Sequence, residues 1–153
     1  MKIKGEIVKS REVVEVVIPR TNGESLKFKV GGYPLGINRA YDAICPKPLA
    51  PFKTINKVGG VVDRVYDYYD SAYGIALDEW QYYFKYFIVY QGMKEDNDVS
   101  FDSKCDSLDG IKAFEAELAA AGFSEGDVGI IFDAIKGASN IDPKRVEAAK
   151  ANF

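Results

Sequence analysis

The run DEWQYYFKYFIVYQG, residues 78–92, constrains this chain more than any other feature. On a helical wheel, residues 75–93 put Trp80, Tyr83, Phe84, Phe87 and Ile88 on one face, continuing from Leu77. The neighbouring face holds Tyr82, Tyr86, Val89, Tyr90 and Met93, and the polar stripe is chiefly Asp78, Gln81 and Lys85. A helix on a domain surface shows one apolar stripe, whereas one that is apolar nearly all round is covered on more than one side. Charges interrupt the run, and no stretch of 18 apolar residues occurs anywhere, which removes a membrane span. The cover must come from the rest of a 153-residue chain or from another protein.

Both sources are expected. Trp80, Phe84 and Phe87 read as core. Tyr82, Tyr86 and Tyr90, with Pro46 and Pro48 upstream, read as a protein-binding surface, for self-association or for a different protein. Tyrosine suits such a surface because it joins a rigid apolar body to one polar tip.

The first thirty residues read as strands. SLKFKV alternates Leu26, Phe28 and Val30 with Lys27 and Lys29, and the β-branched REVVEVVI reaches an Asn22-Gly23 turn signal. Residues 31–62 carry Pro34, Pro46, Pro48 and Pro51, which fit neither a helix interior nor a central strand. That segment reads as extended and irregular, with room for a short helical turn over 37–44. From Asp63 onward the chain reads as helical. Asp70 or Ser71 caps a helix running to about Gly92. Ser107 caps the next, with a stripe of Ile111, Phe114, Leu118 and Ala121 and a stop at Gly122. Ser124 opens a third, with Val128, Ile131, Phe132 and Ile135 inward and Gly137 as its stop. Asp142-Pro143 starts a short last helix.

The expected class is α+β: a small N-terminal antiparallel β-hairpin or meander, a Pro-rich extended segment, then three to four helices. The division falls at residues 1–56 and 57–153, within one compact unit. Ten Lys/Arg against five Asp/Glu give residues 1–53 a balance of +5, and ten against eighteen give residues 54–153 one of −8. Such asymmetry steers head-to-tail contacts between copies, or draws a basic partner to the C-terminal part. Two solvated faces of unlike composition are the plain alternative.

Little points to chemistry. The chain has no histidine, which removes Ser-His and Cys-His pairs, HExxH sites and the commonest general base. Neither GxxxxGK[ST] nor GxGxxG occurs. Asp96, Asp98, Asp102, Asp106 and Asp109 crowd together, but without the glycine and closing glutamate of a calcium loop. Helix capping and solvation explain them better. Asp67 and Asp70, among tyrosines, read as helix-start carboxylates. One lysine, Lys85, lies between Tyr66 and Tyr90, too few for a nucleic-acid stacking groove. Cys45 and Cys105 form no CxxC pair, and the alternating N-terminus lacks the apolar run of a signal peptide. The expectation is a protein that is not an enzyme, without cofactor or metal, and without nucleic-acid or membrane partners.

A β-hairpin, then NRAYDAICPKPLAPFK, then YDYYDSAYGIALDEWQYYFKYFIVYQG, resembles the tail assembly chaperones of long-tailed, siphovirus-like phages and prophages. In that group a proline-rich CPxPxxP-like segment precedes a DxxYxxAxxEWxxxxxxY-like helix. The matching positions are Cys45, Pro46, Pro48 and Pro51, then Asp70, Tyr73, Ala76, Glu79 and Trp80. Gly122 to Ser124, Ile141 to Pro143 and the closing Phe153 are similar to that group's C-terminal helical part. The resemblance covers roughly residues 38–153 and is one of texture, since the group has no catalytic signature to check. It implies a non-enzymatic chaperone that binds the tape-measure protein and helps recruit tail-tube subunits. It further implies work in the cytoplasm of the infected bacterial host and absence from the mature virion. The alternative is a structural component of a phage tail or head–tail connector that stays in the particle.

Overall fold

The computed structural model describes residues 1–7, 11–140 and 143–152 and, of Asn22, the backbone alone. The expected cap at Asp142, together with Ile141 and Phe153, lies outside the described residues. The architecture is α+β, with three two-stranded antiparallel sheets and five α-helices among the described residues.

A minimal hairpin of β1 (Lys2–Ile3) and β2 (Glu6–Ile7) opens the chain. The main sheet follows: β3 (Val13–Pro19) pairs with β4 (Ser25–Gly31), from Val13 opposite Gly31 to Pro19 opposite Ser25. Its turn is a 3-10 turn, Thr21–Gly23, and Gly23 takes a φ of 74°, where a Cβ is disfavoured. Alternation turns Val16, Ile18 and Val30 into the core and leaves Glu15, Lys27 and Lys29 in solvent. Leu26 stays at the rim, 39% exposed.

The short helix expected over 37–44 is present as α1 (Ile37–Ile44), burying Ile37 and Tyr41. It is the fifth helix, beyond the three to four expected. The next element corrects the expectation of an irregular segment leading to helix from Asp63. β5 (Phe52–Asn56) and β6 (Val62–Tyr66) form a hairpin, Phe52 opposite Tyr66 to Asn56 opposite Val62. Gly59 and Gly60, at φ 86° and 76°, make its turn, and the sequence division at 56/57 falls inside that turn.

α2 (Ser71–Met93) runs 23 residues, about 35 Å. Asp70 caps it, its carboxylate accepting from Tyr73 N–H at 2.8 Å. α3 (Leu108–Ala120) is capped by Ser107, and α4 (Glu125–Ala138) by a reciprocal Ser124–Asp127 capping box. α5 (Pro143–Ala151) buries nothing. Two smaller expectations change. Ala121 is the exposed C-cap of α3, and α4 runs through Gly137 to end at Ala138.

The core lies where the second half of α2 meets α3, α4 and the main sheet, with α4 itself packed on β3 and β4. There Tyr86, Phe87, Ile88, Val89, Gly92 and Met93 are all buried, so the helix is covered all round. Gly92 makes this approach fit: a Cβ on it would stand 2.6 Å from Ile135 Cγ1 and 3.1 Å from the Gly31 carbonyl oxygen. Arg20, at the end of β3, pairs with Asp127 at 2.9 Å and lies 5.0 Å from the Phe123 ring centroid, tying sheet to α4. The first half of α2 is different. No residue from Ser71 to Lys85 is fully buried, and Ile75 is 70% exposed. That half carries the β5–β6 hairpin.

Candidate protein-interaction surface

Residues 52–66 form an arm. Every residue of β5 and β6 is exposed, so neither face of the hairpin packs against the body. Hairpins in water are stabilised by cross-strand pairs, and this one has Phe52 against Tyr66, with ring centroids 5.6 Å apart. Arg64 lies 4.7 Å from the Phe52 ring centroid on the same face, and Lys57 pairs with Asp63 at 2.7 Å on the other. Around these pairs stand Ile55, Val58, Val61, Val62 and Val65, with Tyr68 and Tyr69 at the base, all exposed large hydrophobics. Val58 and Tyr69 are effectively fully exposed. So many exposed apolar side chains on one element, interleaved with charges, mark an interaction site more often than a plain solvated loop.

The base is built firmly. Asp67 N–H donates to the Pro51 carbonyl at 2.8 Å, and the Asp67 carboxylate accepts from Tyr69 N–H at 3.0 Å. Phe52, Lys53, Val65, Tyr66, Asp67 and Asp70 line a cleft of about 410 Å³ beside it. Further along, Pro46 is exposed and Pro48 half-buried, and both line a shallow cleft of about 160 Å³ against Trp80 and Tyr83. Trp80 is the hinge of this region. Its Nε1–H donates to the Cys45 carbonyl at 2.8 Å, its ring stacks on Phe84, and Lys47 sits 5.6 Å from its centroid.

The tyrosines expected at an interface lie elsewhere. Tyr86 is 5% exposed and belongs to the core, which corrects its assignment: residues of α3 and α4, Leu118 and Val128 among them, already surround it. Tyr82 is half-buried and its hydroxyl donates to Glu115 on α3, a contact that, with burial, raises its pKa well above the ordinary tyrosine value. Tyr90 is half-buried, edge-on to Phe114 and tilted against Phe101. Of the core triad, Phe87 is buried while Trp80 and Phe84 are half-buried. Pro46 and Pro48 remain at the surface beside the arm; Tyr82, Tyr86 and Tyr90 face α3 instead.

The arm is the feature sequence reading missed. Its signal was available in two five-residue runs, FKTIN and VDRVY, flanking Gly59-Gly60.

The remaining chemistry is structural. Asp96 accepts from Lys29 N–H at 2.7 Å and Asp98 N–H at 2.9 Å, which lowers its pKa and ties the loop to β4. Among the described residues no group of His, Cys, Asp or Glu is placed to hold a metal ion. Cys45 and Cys105 are free thiols, and burial pushes Cys105 up to about 12. No helix among the described residues is long and apolar enough to cross a membrane. No protein-family model, curated protein or solved structure matches this chain.

Proposed function

We propose that this chain is a non-enzymatic assembly chaperone of long-tailed phages or prophages. It binds the tape-measure protein, helps recruit tail-tube subunits around it, and leaves before the particle is complete. It works in the cytoplasm of the infected bacterial host.

The observation that carries this reading is the arm, an apolar hairpin exposed on both faces and held by a bonded base. A chaperone must offer apolar surface to a client and release it, so a small projecting element suits it better than a large buried seam. The resemblance of the CPKPLAP and DSAYGIALDEW segments to the tail-chaperone group supplies the identity of the client. In this reading Pro46 and Pro48 flank the contact, and Tyr82 and Tyr90 serve it indirectly by fixing α2 on α3.

The test is affinity purification of the tagged full chain from cells producing particles, with mass spectrometry of both the co-purifying proteins and the finished particles. Recovery of a very long, helical protein and tube subunits, with this chain absent from particles, is the expected result. Its presence in particles would replace the chaperone by a tail or connector component. Recovery of neither client would overturn both.

A further inference from the structure

The arm has a directional property beyond its apolarity. Lys57 N–H donates to Val61 at 2.7 Å and Asp67 N–H to Pro51 at 2.8 Å. With the register fixed, these bonds make Pro51–Asp67, Lys53–Val65, Ile55–Asp63 and Lys57–Val61 the hydrogen-bonded pairs. The backbone N–H and C=O groups of Phe52, Thr54 and Asn56 therefore point away from β6. Among the described residues they have no hydrogen-bond partner. On β6 the corresponding Arg64 N–H is already taken, by its neighbour's carboxylate at 2.9 Å. The outward N–H groups of Val62 and Tyr66 are also without a partner among the described residues, so both edges are open, and the side chains beside β5 are what distinguish it.

An open edge accepts only an extended strand, and side chains beside it decide which strand. On one face of β5 the order is Lys53, Ile55, Lys57. Antiparallel pairing of two copies centred on Ile55 would set each Lys53 opposite the other copy's Lys57, and like charges directly opposite are destabilising. A strand reading acid, any residue, apolar, any residue, acid meets the same edge with two favourable pairs and an apolar centre. Lys53 has no ion-pair partner among the described residues, whereas Lys57 shares Asp63.

We propose that the β5 edge of the arm binds an extended segment of a partner protein by strand addition, the segment carrying acidic residues two positions either side of an apolar one. The inference rests on the arm being a contact surface, but not on the partner being a tape-measure protein. The two lysines admit that segment and oppose the Ile55-centred pairing with a second copy of this chain.

The test uses the full chain and a labelled, end-capped peptide with a Glu-Thr-Val-Thr-Glu core, beside a Lys-Thr-Val-Thr-Lys control. Fluorescence anisotropy at low salt should favour the acidic peptide at least tenfold. Amide exchange at Thr54 and Asn56 should slow on binding. Thr54→Pro removes an outward N–H that the fold does not use, so it should keep the native circular dichroism and weaken binding at least tenfold. The double change Lys53→Glu, Lys57→Glu should reverse the peptide preference, and it serves alone if the proline variant fails to fold. Equal binding of both peptides, no binding, or a proline variant that binds as well as wild type would overturn the inference. So would slow Thr54 exchange in the free chain accompanied by concentration-dependent association, which would make a second copy the occupant. If the peptide fails while arm substitutions still abolish client recovery from cells, strand addition falls and the proposed function stands.

Discussion

Tyr41 on α1 donates its hydroxyl to the Trp80 carbonyl on α2 at 2.6 Å, and the two rings meet with centroids 5.2 Å apart. Trp80 in turn donates its indole N–H to the carbonyl of Cys45, the residue that ends α1. The pair of bonds closes a small circuit between α1, the Pro46–Pro48 segment and the middle of α2. Since the chain runs from that segment into β5 and returns from β6 into α2, the circuit fixes where the arm leaves the body.

Tyr41 is fully buried and packs against Trp80, Phe84 and Phe87. Tyr41→Phe keeps the ring and should cost about 1 kcal/mol, the worth of one hydrogen bond. Tyr41→Ala should cost about 3–5 kcal/mol, as for other buried aromatic truncations. Equilibrium denaturation of the two variants separates hydrogen bond from packing, and equal losses would contradict the assignment.

Trp80→Ala is expected to leave the chain folded. Trp80 is half-buried, so its loss should cost about 2 kcal/mol, below the figure for a fully enclosed aromatic. The local effect should be larger: amide exchange at Cys45 and Lys47, the two N–H groups of this Pro-interrupted segment, should quicken as the indole anchor goes. A global loss above about 4 kcal/mol would place Trp80 in the core after all.

The Asp127 carboxyl is held below its ordinary value of 3.8, first by the Ser124 backbone N–H and next by Arg20. A lowered folded pKa means the charged form is favoured in the fold. Its contribution is complete above the unfolded value and is lost as pH falls through the lower, folded one. Asp127→Asn should therefore be less stable than wild type at pH 7, with the gap narrowing below about pH 4. Thermal unfolding at pH 7 and pH 3 checks this; a gap that stays constant would mean the charge is immaterial.

Ile55→Ser, Val62→Ser and Val65→Ser each remove an exposed apolar side chain from an arm that buries none of its strand residues. Each should change global stability by less than about 0.5 kcal/mol. Denaturation curves that shift further would show the arm folding back on the body in solution.

The α+β class, the caps at Asp70, Ser107 and Ser124, and the inward residues of α4 were legible because each has a local cause: a side-chain oxygen at an N-terminus, or a repeat near 3.6. The arm left only a faint signal, two short runs about Gly59-Gly60, for the same kind of reason. Burial on one face is what writes period-2 alternation into a strand, and β5 and β6 bury neither face. Tyr86 was misassigned because a wheel shows that a helix is apolar all round, not how far along it the cover extends. Here the cover begins at Tyr86, and the more open half holds Trp80 and the arm.

The most direct measurement is recovery of the tape-measure protein by the tagged full chain and by the combined Ile55→Ser, Val62→Ser, Val65→Ser variant, from producing cells at matched expression. The account predicts that wild type retains the client and the folded variant loses at least nine-tenths of it, roughly 1.4 kcal/mol of binding. Undiminished recovery by the folded variant would contradict the account and move the contact away from the arm.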